Sequence, residues 1–193
     1  MTSIGVRQLS VLAEFFQRVL DRYRPESAAV LGVAGGNGLD QIDRTITKRI
    51  LGLDINQQYL DEVQQRFGTL PGLELYCYDL AQRNCCLAAV ALVHAALIFE
   101  HVGTDIALEN ALSLVAAGGR LSVVLQLPSE EEQDVAPTRY TSMQTLKQDF
   151  ALIDIPEFQH RLSQKNFELV EQQTRSLPAG KALWLGVFMQ KEP

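Results

Sequence analysis

Cysteine and histidine are scarce in this sequence, which argues against disulfide scaffolds and metal centres. The 193 residues include three cysteines, Cys77, Cys85 and Cys86. An odd number with two adjacent residues fits neither a disulfide framework nor paired Cys-x-x-Cys ligands. The three histidines are widely spaced and form no H-x-x-x-H pair, so we expect no metal. The cysteines are expected to be reduced, which predicts a cytoplasmic protein.

Clusters of positive charge and long apolar runs are also missing. Lysine and arginine number 17 against 23 acidic residues, and the net charge of −6 attracts neither phosphate backbones nor anionic lipid. The longest apolar run, residues 85–99, is too short to span a bilayer, and charges interrupt the first 27 residues, unlike a signal peptide. We therefore expect a small-molecule substrate, with no nucleic-acid or membrane partner. Both a monomer and a homodimer fit the sequence.

Apolar periodicity divides the chain into alternating strands and helices. Helical spacing predicts helices over residues 7–23, after Gly38 (Leu39, Ile42, Ile46), from the cap Asn56 to Phe67, and over 104–116 and 156–165. Short apolar runs predict strands over 28–33, 49–55, 73–78, 88–99 and 120–127, although 88–99 also permits a helix. Gly118 and Gly119 are expected to separate the fourth helix from the fifth strand. This alternation predicts an α/β fold with a doubly wound, mostly parallel sheet.

The end of the chain departs from that alternation. Two strand-like runs, 167–174 and 182–190, are joined by a loop too short for a crossover, so they predict an antiparallel hairpin and a seven-stranded sheet. One domain is expected, with an N-terminal helix in 1–24, a ligand-binding half in 28–127, a polar segment in 128–155, and a C-terminal helix and hairpin in 156–193. We hypothesise that the N-terminal helix and residues 128–150 form a lid over the substrate.

Glycines and carboxylates follow the first three predicted strands. Ligands bind at the carboxyl ends of strands in such sheets. The glycines of residues 34–38 let the backbone turn tightly and approach a ligand closely. Asp54 ends the second strand, where a carboxylate can accept hydrogen bonds from both ribose hydroxyls. Asp79, between Tyr78 and Leu80, can place a polar acceptor and apolar side chains around a purine ring.

These segments, in this order, resemble the motifs of the class I S-adenosylmethionine-dependent methyltransferases. Residues 30–38 resemble the glycine-rich first motif, 50–56 the second with its ribose-binding acid, 78–80 the third, and 117–121 the turn before the fifth strand. The closing hairpin is similar too. The resemblance implies methyl transfer with S-adenosylmethionine as cofactor. It also implies a cofactor site made of Gly32, Ala34, Gly36, Gly38, Asp54, Ile55, Asp79, Leu80 and Phe99.

Two positions depart from the family's pattern. The family usually carries an acid where Gly32 stands and a glycine where Ala34 stands. The acid helps to hold the methionine portion of the cofactor, so its role could pass to Asn37 or Asp40. The methyl group of Ala34 lies where the backbone must come close to the ligand.

Catalytic and substrate-binding residues are less clearly marked. Glu100 and His101 follow the fourth strand, where a carboxylate could orient the substrate and an imidazole could take a proton near neutral pH. Both could equally be polar residues at a strand-to-loop junction. Gln126 and Tyr140 are candidates for the substrate pocket, against the alternative of an ordinary solvated loop. His94, inside an apolar run, is interpreted as a core histidine.

The sequence leaves two other functions open. The first is a non-catalytic module that binds S-adenosylmethionine or S-adenosylhomocysteine. The second is a nicotinamide-dependent oxidoreductase, which the glycines disfavour. In the G-x-G-x-x-G register, Gly36 and Gly38 are followed by Gln41 and not by a third small residue.

Overall fold

The computed structural model describes residues 4–83, 85–128, 150–178 and 180–191. Seven strands form one sheet: β1 (Ser27–Leu31), β2 (Arg49–Asp54), β3 (Leu73–Cys77), β4 (Val90–Ala96), β5 (Val115–Leu127), β6 (Phe167–Ser176) and β7 (Ala182–Gln190). Their order is β3-β2-β1-β4-β5-β7-β6. The first five strands pair in parallel, and β7 pairs antiparallel with both β5 and β6. The predicted sheet, its closing hairpin and the strand nature of β4 are confirmed.

Helices cover both faces of the sheet. They are α1 (Ile4–Tyr23), α2 (Gln57–Phe67), α3 (Phe99–Val102), α4 (Ile106–Ser113) and α5 (Ile155–Gln164). One buried cluster joins α1 and α2 to the sheet, and a second joins α4 and α5 to its opposite face. The side chains of β1 alternate between the two clusters, as the two-residue period of a strand requires. The sheet is therefore doubly wound, as predicted.

The helix predicted after Gly38 is wrong. Only a single 3-10 turn, Leu39–Gln41, follows the glycines. The Asp43 carboxylate accepts hydrogen bonds from the backbone N–H and the hydroxyl of Thr45, at 2.8 and 2.7 Å. Such a local turn competes with helix formation, and two of the next four residues, Ile46 and Thr47, are β-branched and poor helix formers. The apolar spacing reflects the buried Leu39 and Ile42, which reach the core from irregular backbone.

The predicted break at Gly118 and Gly119 is also misplaced. Helix α4 ends at Ser113, and β5 already begins at Val115, so both glycines lie within the strand. Val115 pairs with Val90, and the register then shifts before β4 and β5 resume regular pairing. Gly118 has a φ of +70°, which favours glycine. The glycines therefore mark an irregularity inside β5.

Helix α1 is part of the core. Its side chains Phe15 and Phe16 are buried, and Arg18 and Arg22 pair with Glu171 of β6 at 2.7 and 2.8 Å. A lid made of the whole helix would have to break this packing, so the lid hypothesis for 1–24 is compatible with movement of its first turns only.

No helix in the described ranges is long and apolar enough to cross a membrane.

Candidate functional site

A cleft lies at the carboxyl ends of β1, β2 and β3. Its lining residues come from four separate segments: Gly32, Asp54, Ile55, Tyr78, Asp79, Leu80, Ile98 and Val102. The enclosed part of the cleft is about 50 Å³, and the rest is open to solvent. A ligand with a ring system would therefore lie partly exposed in it.

Asp54 is fixed at the floor of this cleft by two backbone donors. The N–H of Ala34 donates to Oδ2 at 2.8 Å, and the N–H of Asn56 donates to Oδ1 at 2.9 Å. A carboxylate has about four acceptor positions, so each oxygen keeps one for a ligand hydroxyl. Because both oxygens are already oriented, a vicinal diol would meet a pre-organised acceptor pair.

The backbone after β1 is held in conformations that favour glycine. Gly32 has a φ of +69°, and a Cβ there would lie 2.9 Å from Ile98 Cδ1. An acidic side chain at position 32 would therefore fit only if Ile98 moved. The conformation of this loop accounts for the absence of the family's acid. Ala34 has a φ of +44°, which costs a non-glycine residue about 1 kcal/mol.

The rest of the glycine loop packs on helices. Gly36 contacts the ring of Phe67 at the end of α2, and Gly38 contacts Phe16 of α1. The side-chain amide of Asn37 donates to the Leu9 carbonyl at 3.1 Å. The side chain of Asn37 therefore binds α1. The two glycines leave room for the rings of Phe67 and Phe16, so the loop packs closely against both helices.

Replacing Gly36 with alanine tests that packing. A Cβ there would lie 2.6 Å from Phe67 Cε2, on a backbone with a φ of +80°. We expect a loss of about 2 kcal/mol in the free energy of unfolding, from strain and overpacking together. Gly118→Ala is the matched control, since its φ is also positive but nothing lies within 4 Å, and it should cost about 1 kcal/mol. Equal losses in urea denaturation would contradict the packing role.

One wall of the cleft is the segment that follows β3. Tyr78 Oη donates to the Gln82 carbonyl at 3.0 Å, and the Ala81 N–H donates to Asp79 Oδ1 at 2.9 Å. The side chain of Leu80 is buried and belongs to the core. The wall is thus a sequence of local turns anchored by one apolar side chain.

The opposite wall is formed by α3 and the residue before it. Ile98 and Val102 are four positions apart, so they share one face of this short helix and line the cleft. Phe99 is outside the set of lining residues. It is buried, with its ring centroid 5.4 Å from that of Phe158 in α5. The aromatic predicted to touch a cofactor therefore lies in the core.

Glu100 is buried and faces β5. Its Oε1 accepts the Gln126 N–H at 2.8 Å, while Oε2 has no hydrogen-bond partner among the described residues. Burial raises the pKa of this carboxyl. The backbone carbonyl of Glu100 also accepts a hydrogen bond from the Ala151 N–H at 2.8 Å, which fixes the chain just before α5. The neighbouring His101 is exposed, with its ring edge against Phe150.

No protein-family model and no curated protein matches the sequence. Solved structures match it in fold. The N-methyltransferase NodS from Bradyrhizobium japonicum, in complex with S-adenosylhomocysteine, has a TM-score of 0.69 and 15% identity over 99% of this chain and 89% of its own. Magnesium protoporphyrin IX methyltransferase (ChlM) from Synechocystis, with S-adenosylhomocysteine bound, has a TM-score of 0.71 and 14% identity over 97% and 85%. The chain has the class I methyltransferase fold.

The same fold also occurs in a protein of another activity. The (4+2)-cyclase SpnF has a TM-score of 0.70 and 13% identity over 94% of this chain and 82% of its own. Identities this low establish shape alone. The fold is therefore that of the class I methyltransferases, and it does not by itself determine the reaction.

Within this methyltransferase fold, the structure gathers most of the predicted cofactor residues. Gly32, Asp54, Ile55, Asp79 and Leu80 line the cleft, and Ala34 bonds to Asp54. Ile98 and Val102 were missed because their sequence context, an apolar run ending in a polar loop, fits a strand end equally well. The exposed Asp40 accepts a hydrogen bond from Gln41, its only partner among the residues that the structure describes. Tyr140 and most of the segment 128–155 lie outside the described residues.

Proposed function

We propose that the chain is a methyltransferase that uses S-adenosylmethionine and acts on a small molecule. The observation that carries this proposal is the fixed carboxylate of Asp54 at the end of β2, with one free acceptor position on each oxygen. Two adjacent hydroxyls of a ribose match such an acceptor pair. The solved complexes of NodS and ChlM with S-adenosylhomocysteine support the same cofactor for this fold.

The remaining lining residues suit an adenine ring. Ile55 is 67% exposed at the mouth of the cleft, where a purine would cover its apolar surface. Ile98 and Val102 offer a second apolar surface from α3. Asp79 supplies a carboxylate on the wall that follows β3, within the segment that a purine edge would face. Gly32 and the Ala34–Asp54 contact would then border the rest of the cofactor.

When bound, the cofactor supplies an activated methyl group for an in-line displacement. Positioning and exclusion of water can provide much of the rate of such a transfer, with or without a general base. Glu100 remains our candidate for orienting the substrate and His101 our candidate general base, although neither is among the residues that line the cleft. The acidic net charge of −6 favours a small molecule over nucleic acid as the acceptor.

Calorimetric titration of the wild-type protein tests the cofactor. We expect saturable binding of S-adenosylhomocysteine and no binding of NAD or NADP. Binding of a nicotinamide cofactor in its place would contradict the proposal and favour an oxidoreductase. Absence of binding to any of the three would also contradict it.

A second candidate is a non-catalytic module that binds the same cofactor. The cyclase SpnF bears on it only by showing that this fold does not require methyl transfer. Turnover separates the two: incubation with methyl-labelled S-adenosylmethionine and a panel of amine, hydroxyl and thiol acceptors should label at least one. Tight cofactor binding with no labelled product across the panel would favour the binding module.

A further inference from the structure

The segment between β3 and β4 crosses from the sheet edge to its centre without regular structure of its own. Residues 78–83 and 85–89 contain neither helix nor strand, and β3 has a neighbouring strand on one side only. Backbone N–H and C=O groups in such a segment need partners from elsewhere. The same segment carries Asp79 and Leu80, which form one wall of the cleft.

One side chain from another element supplies several of those partners. Asn110 of α4 is buried, and its Nδ2 donates to the carbonyls of Leu80 and Gln82 at 2.9 and 2.7 Å. Its Oδ1 accepts the Cys85 N–H at 3.4 Å. The Gln82 carbonyl is also the acceptor for the Tyr78 phenol. A single amide therefore fixes both ends of the turn that follows Asp79 and, through Gln82, the ring of Tyr78.

We propose that Asn110 is a positioning residue for the cofactor cleft: it acts through Leu80, Gln82 and Cys85 and touches no ligand itself. The other buried residues of α4 are apolar, as in Ala107, Leu108 and Ala111, so packing alone gives no reason for a polar amide here. Burying an amide is favourable only when its hydrogen bonds are made, and these bonds all go to the cleft wall. The role as stated rests on the proposed function.

The test compares two variants of the same helix. Asn110→Ala removes the three bonds to the wall, whereas Leu108→Ala leaves a cavity in the same core cluster without touching them. Both should lower the melting temperature. At a temperature where each is folded, Asn110→Ala should weaken binding of S-adenosylhomocysteine at least tenfold, and Leu108→Ala less than twofold. Equal losses, or no loss in Asn110→Ala, would overturn the inference.

Hydrogen exchange without ligand separates this inference from the proposed function. The Ala81 and Gln82 N–H groups are hydrogen-bonded to Asp79 within the wall, and the Cys85 N–H is hydrogen-bonded to Asn110 itself, so Asn110→Ala should speed the exchange of all three and Leu108→Ala should not. Unchanged exchange would overturn the positioning role whether or not the ligand binds. If the wild-type protein does not bind S-adenosylhomocysteine, the proposed function is wrong, while hydrogen exchange still tests whether Asn110 orders the wall. If Asn110→Ala does not fold, Asn110→Ser, which keeps a donor hydroxyl, should give intermediate exchange.

Discussion

Replacing Asp54 with alanine is expected to weaken binding of S-adenosylhomocysteine by about 2–3 kcal/mol, roughly 30- to 150-fold. The substitution removes the acceptor pair proposed for the ribose hydroxyls. It also leaves the N–H groups of Ala34 and Asn56 without their present acceptor, so the loop after β1 loses its attachment to β2. Calorimetric titration of the purified variant measures the loss.

Two comparisons show whether the loss arises at the ribose. Asp61→Ala removes an exposed carboxylate of α2 that is outside the set of cleft-lining residues, and it should change affinity less than twofold. The 2′-deoxy analogue of S-adenosylhomocysteine should bind the wild-type protein more weakly than the parent compound, and this difference should largely vanish in Asp54→Ala. An undiminished difference in the variant would mean that Asp54 does not contact the ribose.

The sheet could be predicted from the sequence because buried parallel strands produce uninterrupted apolar runs. Residues 28–33 and 49–55 predict β1 and β2 to within two residues, and Asn56 caps α2 as expected. The short loop before β7 required an antiparallel hairpin by its length alone. In these elements, local pattern and tertiary environment agree.

The loops around the site were harder to predict because their residues meet distant partners. Gly36 and Gly38 follow the first strand, where close approach to a ligand is expected, and a Cβ at these positions would also meet Phe67 and Phe16. Phe99 followed the fourth strand like a ligand-contacting residue but packs on Phe158, fifty-nine positions later in the chain. Sequence position identifies which strand end a residue follows, and only packing decides which way its side chain points.

The role of Asn110 could not be predicted from the sequence either. In sequence it is one polar residue in a helix whose other inward positions are apolar, and such a position is usually read as solvent-facing. Its hydrogen bonds reach residues 25 to 30 positions earlier. No periodic signal in a single sequence encodes a side-chain amide that pairs with an irregular segment. Sites that depend on such contacts therefore emerge only from the structure.

The buried His94 is expected to make the stability of the protein depend on pH. Its ring lies 4.5 Å from that of Phe16, and Nδ1 is 3.1 Å from Ser122 Oγ. Burial lowers the pKa of His94 from 6.5 to about 4. As pH falls below 6.5, the unfolded chain takes up this proton and the folded protein does not, so stability is lost on acidification until the folded pKa is reached. Glu100 has the opposite effect on stability. Burial raises its pKa, so the folded protein takes up this proton at a higher pH than the unfolded chain does, and acidification favours the folded state at this residue.

His94→Phe isolates the histidine contribution, because phenylalanine keeps a ring against Phe16 and cannot titrate. Between pH 7 and pH 5, the unfolding free energy of the wild-type protein should fall by about 2 kcal/mol relative to that of the variant, and by about 3 kcal/mol at pH 4. His160→Gln, at an exposed position on α5, should follow the wild-type curve. Urea denaturation across this range measures the difference. Parallel curves for the wild type and His94→Phe would mean that His94 can be protonated inside the folded protein, which would require water or a carboxylate to reach the interface between α1 and β4.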